Sequence, residues 1–163
     1  MTVETFTAPA AGDLLACLAA PAWAEAITAG GPYRDRAALL AAADAAARAL
    51  RWGDVLLGLA AHPRIGERAA GASKEAAWSR AEQLAAAQSA DDTTRSELIR
   101  VNELYEAKFG HVFLIFASGR SQAEILDVAR ARLENDEETE RAIVADELRK
   151  IALLRLERVL DAL

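Results

Sequence analysis

Residues 102–121, NELYEAKFGHVFLIFASGRS, hold a helix end, an unbroken apolar run and a fresh helix start in one short stretch. Upstream, Leu98, Asn102, Tyr105 and Phe109 fall on one face at helical spacing, and Asp91 and Asp92 are suited to cap the start of that helix. Gly110 should stop it. Val112-Phe113-Leu114-Ile115-Phe116-Ala117 then runs between Gly110 and Gly119 with no polar residue. Periodicity alone does not choose between a buried strand and a buried helix here, but either belongs deep in the core. An extended segment on its own leaves backbone groups without ladder partners, and a bound ligand could satisfy some of them. Beyond Gly119, Ser121 and Glu124 have capping-box spacing ahead of Ile125, Leu126 and Val128.

Outward from this stretch the chain reads as helix after helix. Short candidates cover Asp13–Ala19 and Ala22–Ala29 around Pro21, ended by Gly30-Gly31-Pro32. Longer ones cover Asp35–Leu50 and Asp54–Ala61. Arg64–Ser73 is read as an irregular connector, Glu75–Gln88 as helix, and Asp136–Leu160 as the last and longest helix. No repeat, low-complexity linker or domain boundary interrupts them. The expectation is an all-α fold: one compact multi-helix domain over residues 1–163, with a buried apolar segment near 112–117 for which extended geometry is the favoured reading.

Composition narrows the function. The 163 residues are 53% apolar with a net charge of −6, which argues against a nucleic-acid partner. No run of eighteen apolar residues occurs, so no membrane span is expected, and Glu4 and Asp13 precede the apolar stretch Leu14–Ala24 where a signal peptide would carry positive charge. Cys17 is the single cysteine, so no intramolecular disulfide can form and a reducing, cytoplasmic location fits. The ending Asp161-Ala162-Leu163 is not a peroxisomal address of the Ser-Lys-Leu kind. Two histidines and one cysteine, with no HExxH or paired-Cys spacing, leave no metal site to expect. Nor is there a glycine-rich phosphate cradle, so chemistry without a cofactor, or no chemistry, remains.

Several polar residues then stand out of place. His62 follows an apolar helical run, and Pro63 disfavours helix at residue 62, so the imidazole should sit on a corner. Histidine is the side chain best suited to exchange protons near neutral pH. The plainer reading is a solvated histidine beside a turn. In the last helix Val144, Leu148, Ile151, Val159 and Ala162 form a core-facing stripe, and Arg155 falls inside it. A guanidinium cannot be neutralised, so it needs a carboxylate or an anionic ligand there unless it snorkels outward. Ser79, Glu82 and Gln83 lie at i, i+3 and i+4 and converge on one face. Ser79-x-x-Glu82 is also capping-box spacing, although Lys74–Ala77 and Trp78 put the helix start further upstream. A serine, a carboxylate and an amide together could hold a polar, urea-like molecule. Asn102, on its apolar face, and His111, beside the apolar run, are read as structural or as pocket wall.

Taken in order, these residues resemble the OHCU decarboxylase family, which acts on 2-oxo-4-hydroxy-4-carboxy-5-ureidoimidazoline in urate breakdown. The resemblance rests on HPRIGE at 62–67, SRAEQ at 79–83, NELYEAKFGHVFLIFASGRS at 102–121 and RKIALLRL at 149–156, with Pro32-Tyr33 similar to the family's Pro-Phe/Tyr turn. It implies a compact all-α domain, a homodimer, and a decarboxylase that needs no metal or organic cofactor. By the same resemblance His62 and Glu82 are catalytic and Arg155 is the active-site arginine. Ser79 and Gln83 bind substrate, and main-chain groups of Phe113, Leu114, Ile115, Phe116 and Ala117 help hold the heterocycle. Departures bear on subgroup and pocket shape: His111-Val112 stands where many members have Phe-Pro, Phe116 where cysteine is common, and Leu84-Ala85-Ala86 replaces a small polar or glycine-rich continuation. Two other readings stay open, a lyase or hydrolase acting on another ureido compound and a non-catalytic helical interaction module.

Overall fold

The computed structural model describes residues 5–62, 78 and 92–163. Seven helices are defined there: α1 (Ala11–Cys17), α2 (Pro21–Gly30), α3 (Arg36–Arg48), α4 (Trp52–Ala60), α5 (Asp92–Phe109), α6 (Gln122–Arg132) and α7 (Glu137–Asp161). Among the described residues the only β pairing is a single antiparallel bridge between Phe6 and Tyr33. The all-α expectation therefore holds.

Local chemistry sets the helix limits. Pro21 opens α2 at a position where a missing N–H costs nothing, so it is part of the helix rather than a gap before it. The Asp35 and Asp136 carboxylates accept from the backbone N–H groups of Ala38 (2.8 Å) and Thr139 (2.7 Å), capping α3 and α7. Ser121 caps α6 as its spacing predicted, accepting from the Glu124 N–H at 3.2 Å. Gly110, with φ of +80°, turns the chain out of α5, and Gly119, with φ of +78°, turns it before α6.

The long helix α7 is the axis on which α1, α3 and α4 pack, and α5 pairs with α6. Two apolar clusters result. The first joins Leu14, Trp23, Ile27, Leu39, Val55 and Leu59 to Val144, Leu148, Ile151 and Leu156 of α7. The second gathers Leu98, Val101, Tyr105, Ile125 and Ala129 from α5 and α6. Tight approaches support the first: a Cβ on Gly58 would lie 2.7 Å from Leu18 Cδ1 and 3.1 Å from Leu148 Cδ2, so α4 seats against α1 and α7 through a residue without a side chain. Ala162 differs from its sequence reading. It forms the C-cap of α7 and is exposed, because the apolar stripe ends one turn earlier, at Val159 and Leu160.

Residues 112–117 form no helix and join no strand. Their side chains alternate between the clusters: Val112, Leu114 and Phe116 pack on the first, Phe113, Ile115 and Ala117 on the second. That two-residue alternation is the signature of an extended chain. The segment thus threads between the two halves of the core, with Phe113, Leu114 and Ile115 all at most 3% exposed.

Candidate active site

The last turn of α4 delivers His62. Its N–H donates to the Leu59 carbonyl at 3.0 Å, and the Ala61 N–H to that of Gly58 at 3.3 Å, so the helix closes just as the ring emerges. The imidazole is half-buried. Burial, and secondarily the positive charge of Arg155, push its pKa down to about 3. At neutral pH the ring is uncharged, with one nitrogen free to accept a proton and the other bearing one.

Arg155 comes from the middle of α7 and is completely enclosed. The snorkelling reading is therefore excluded. It follows Ile151 by one turn and precedes Val159 by one turn, so the helix that builds the core also carries the charge inside it. Its guanidinium carbon lies 5.7 Å from the centroid of the Trp78 ring, a cation–π arrangement on a third piece of chain. Trp78 is itself helical.

Three separate parts of the sequence thus meet: the end of α4, Trp78 and the middle of α7. The first apolar cluster contains Leu59, Trp78, Ile151 and Leu156, chain neighbours of His62 and Arg155, together with Leu114 and Phe116 of the extended segment. Among the described residues, the N–H groups of 113–116 find no backbone partner. This is the consequence expected of an extended segment with no neighbouring strand. Ser79, Glu82 and Gln83 lie outside the described residues, as does the 63–67 portion of HPRIGE.

Chemically, a half-buried proton-transfer group, His62, lies within the electrostatic reach of an enclosed permanent positive charge, Arg155. Such a site suits stabilisation of an anion and movement of a proton. Among the described residues no group of three or more His, Cys, Asp or Glu side chains could hold a metal ion. Two surface grooves, one lined by Leu15, Pro21 and Thr28 and the other by Arg48, Ala145 and Arg149, share no residue with this site.

His111 proves to be packing. Its ring meets Trp52 and Tyr105 edge-on at 5.5 Å each and stacks on Phe109 at 6.2 Å. Sequence reasoning missed a buried ion pair, Arg132 with Glu140, whose side chains are 5% and 0% exposed. The signal was available. Arg132 continues the buried face of Ile125 and Ala129, and Glu140 lies one turn before Val144, just as Arg155 lies one turn after Ile151.

A model of the OHCU decarboxylase family matches residues 7–157. The chain belongs to that family. Membership agrees with the resemblance read from the four sequence blocks, and with the all-helical architecture. The chain is similar to the Uric acid degradation bifunctional protein TTL of Arabidopsis thaliana, 33% identical over 145 residues that are 88% of this chain and 45% of the relative. It is also similar to the Uric acid degradation bifunctional protein of Bacillus sp. (strain TB-90), 34% identical over 65 residues, 40% of this chain and 13% of that protein. The chain thus spans less than half the length of either relative. A crystal structure of OHCU decarboxylase in the presence of (S)-allantoin superposes with a TM-score of 0.78 at 29% identity, covering 90% of this chain and 96% of the other. A crystal structure of (S)-allantoin synthase shares the fold with a TM-score of 0.65 at 20% identity, covering 91% of this chain and 48% of that one.

Proposed function

We propose that this protein decarboxylates 2-oxo-4-hydroxy-4-carboxy-5-ureidoimidazoline to (S)-allantoin, without a metal or organic cofactor. The observation that carries the reading is the fully enclosed guanidinium of Arg155, whose charge reaches His62 at the end of α4, in a chain of the OHCU decarboxylase family. The likeness to an OHCU decarboxylase crystallised with (S)-allantoin supports it over nearly the full length of both chains.

The substrate carries a carboxylate and a hydroxyl on one ring carbon, next to a C=N bond. When the bond to CO2 breaks, its electron pair forms a C=C bond, and the C=N π electrons move onto nitrogen, which takes up a proton. The resulting enol gives its hydroxyl proton away as the carbonyl forms, and the ureido-bearing carbon gains one. Protonation from one face gives the S product. The substrate is its own electron sink, so the protein has to bind, orient and transfer protons.

Each named residue has a place in that scheme. Arg155 balances the anionic oxygens, and an anion bound beside it offsets the field that holds the His62 pKa down. His62 then becomes a better base at the moment the hydroxyl proton must leave. Glu82 orients the imidazole or shares the transfer, and Ser79 and Gln83 bind the ureido group. The backbone of 113–117, whose side chains are spent on the two clusters, holds the heterocycle. We further propose a cytoplasmic homodimer. Half-exposed Ile99 and Leu104 on α5 and Leu57 on α4 supply apolar surface for self-association, and sedimentation velocity tests it.

The substrate assignment is tested by forming the labile substrate in situ from urate with urate oxidase and 5-hydroxyisourate hydrolase. The expected result is accelerated loss of its ultraviolet absorbance on adding this protein. Loss at the spontaneous rate, with turnover of another ureido compound in a substrate profile, would move the reading to another lyase or hydrolase.

A further inference from the structure

The Arg132–Glu140 pair lies against Tyr105 and Phe113 of the second apolar cluster, with Glu140 about four turns before Arg155 on α7. Arg132 is the last residue of α6, and Glu140 sits in the first turn of α7. The guanidinium donates to the Glu140 carboxylate through Nε at 2.7 Å and again through Nη2. Its remaining arm, Nη1, donates to the Leu114 carbonyl at 2.6 Å. The same guanidinium lies 4.5 Å from the centroid of the Phe113 ring. Glu140 also accepts from the Tyr105 hydroxyl at 2.6 Å and from Asn135 Nδ2 at 3.1 Å. Burial, and then the hydrogen bond to Glu140, raise the Tyr105 pKa far above its ordinary value, so the phenol remains a donor. Helices α5, α6 and α7 therefore meet the segment at one fully bonded node.

Stability alone is a poor reason for such a node. Desolvating a buried pair is costly, and apolar replacements of equal volume are often as stable or more so. What the pair supplies that apolar side chains cannot is a directed hydrogen bond to the segment's backbone. Among the described residues, that bond is the segment's one contact of this kind from a distant part of the chain. No sheet ladder fixes the register of 112–117, so the guanidinium does it. In an extended chain successive residues turn their N–H and C=O groups to opposite edges. With Leu114 bound to Arg132, the groups of Phe113 and Ile115 are on the other edge.

We propose that Arg132 and Glu140 are positioning residues that hold the Leu114 edge of the extended segment so that its opposite edge, at Phe113 and Ile115, is presented in fixed register to the substrate heterocycle. The substrate half of this proposal rests on the decarboxylase reading above. The paired replacement Arg132→Met with Glu140→Leu removes the carbonyl contact without stranding a buried charge. It leaves the buried Tyr105 hydroxyl and the Leu114 carbonyl without these partners, so it should lower the melting temperature by several degrees while staying folded at the assay temperature, raise KM at least tenfold with a smaller change in kcat, and speed amide exchange of residues 113–116 at least tenfold more than that of the other core amides. Arg132→Lys keeps the charge opposite Glu140 but lacks the planar fork that reaches Glu140 Oε1 and the Leu114 carbonyl together, so its KM should fall between the two. It also stands in if the paired variant does not fold. A folded variant with unchanged KM and unchanged exchange overturns the proposal. Wild-type protein inactive on the substrate overturns the decarboxylase reading and the substrate half with it, while the exchange result still decides whether the pair holds the segment.

Discussion

Acidification should destabilise this protein through His62, by an amount that follows from its burial. In the native state burial and the charge of Arg155 hold the His62 pKa at about 3, against 6.5 in the unfolded chain. Between those values the unfolded state binds a proton that the native state refuses. The stabilising contribution is complete above pH 6.5 and is lost progressively as pH falls toward 3. From pH 7 to pH 5, one fully linked proton is worth about 2 kcal/mol, and partial solvent contact of the ring reduces this to roughly 1 kcal/mol. Carboxylates held below their usual range by arginines, such as Asp44 and Asp146, add their own acid sensitivity. That background is common to wild type and His62→Asn and cancels in their difference. Urea denaturation of both proteins at pH 7 and pH 5 measures it, with equal m values as the check that the same transition is being followed. Wild type should lose about 1–2 kcal/mol more than the variant over this interval. Identical losses would refute the reasoning, since His62 would then titrate alike in folded and unfolded chains.

Other outcomes follow from the same geometry. Exchanging Arg155 for methionine keeps most of the buried volume but removes the charge, so the His62 imidazole should titrate at higher pH by NMR and KM should rise at least tenfold; no movement of either would separate the two residues. Breaking the second node from one side, with Glu140→Leu alone, leaves Arg132 charged and enclosed and should cost about 3–5 kcal/mol in chemical denaturation. Changing Gly110 to alanine meets no neighbouring atom within 4 Å but forces a Cβ into φ of +80°, so a loss of about 1 kcal/mol in thermal or urea unfolding should come from backbone strain alone.

Much of the molecule was legible in the sequence because its periodic and capping signals agree. Ser121 caps its helix as its spacing to Glu124 put it, Gly110 ends α5, and Asp136 stands at the start read for the last helix, since each acts through hydrogen bonds or dihedrals local to a helix end. His62 and Arg155 were visible as contradictions, a titratable ring at a proline-enforced helix end and a charge within an apolar stripe. That the charge of one reaches the other was not visible, because it depends on α4 packing on α7. Arg132 and Glu140 obeyed the same stripe rule on α6 and α7 and were overlooked, each being one polar residue near the end of a pattern rather than in its middle. The register of 112–117 had no sequence signal. An all-apolar run reads alike on both faces, and only the side-chain division between two clusters reveals its alternation. Ala162 shows the opposite failure, since correct spacing says nothing about where the core stops.

The handedness of the allantoin formed, and its dependence on His62, tests the proposed function most directly. Circular dichroism of the reaction started from urate, with urate oxidase and 5-hydroxyisourate hydrolase present, should show rapid appearance of (S)-allantoin alone with wild-type protein. Folded His62→Asn should be slower by a factor of about 10²–10⁴, the usual worth of a positioned acid–base group. Racemic allantoin at the spontaneous rate from folded wild type, or undiminished single-handed product from His62→Asn, would contradict it.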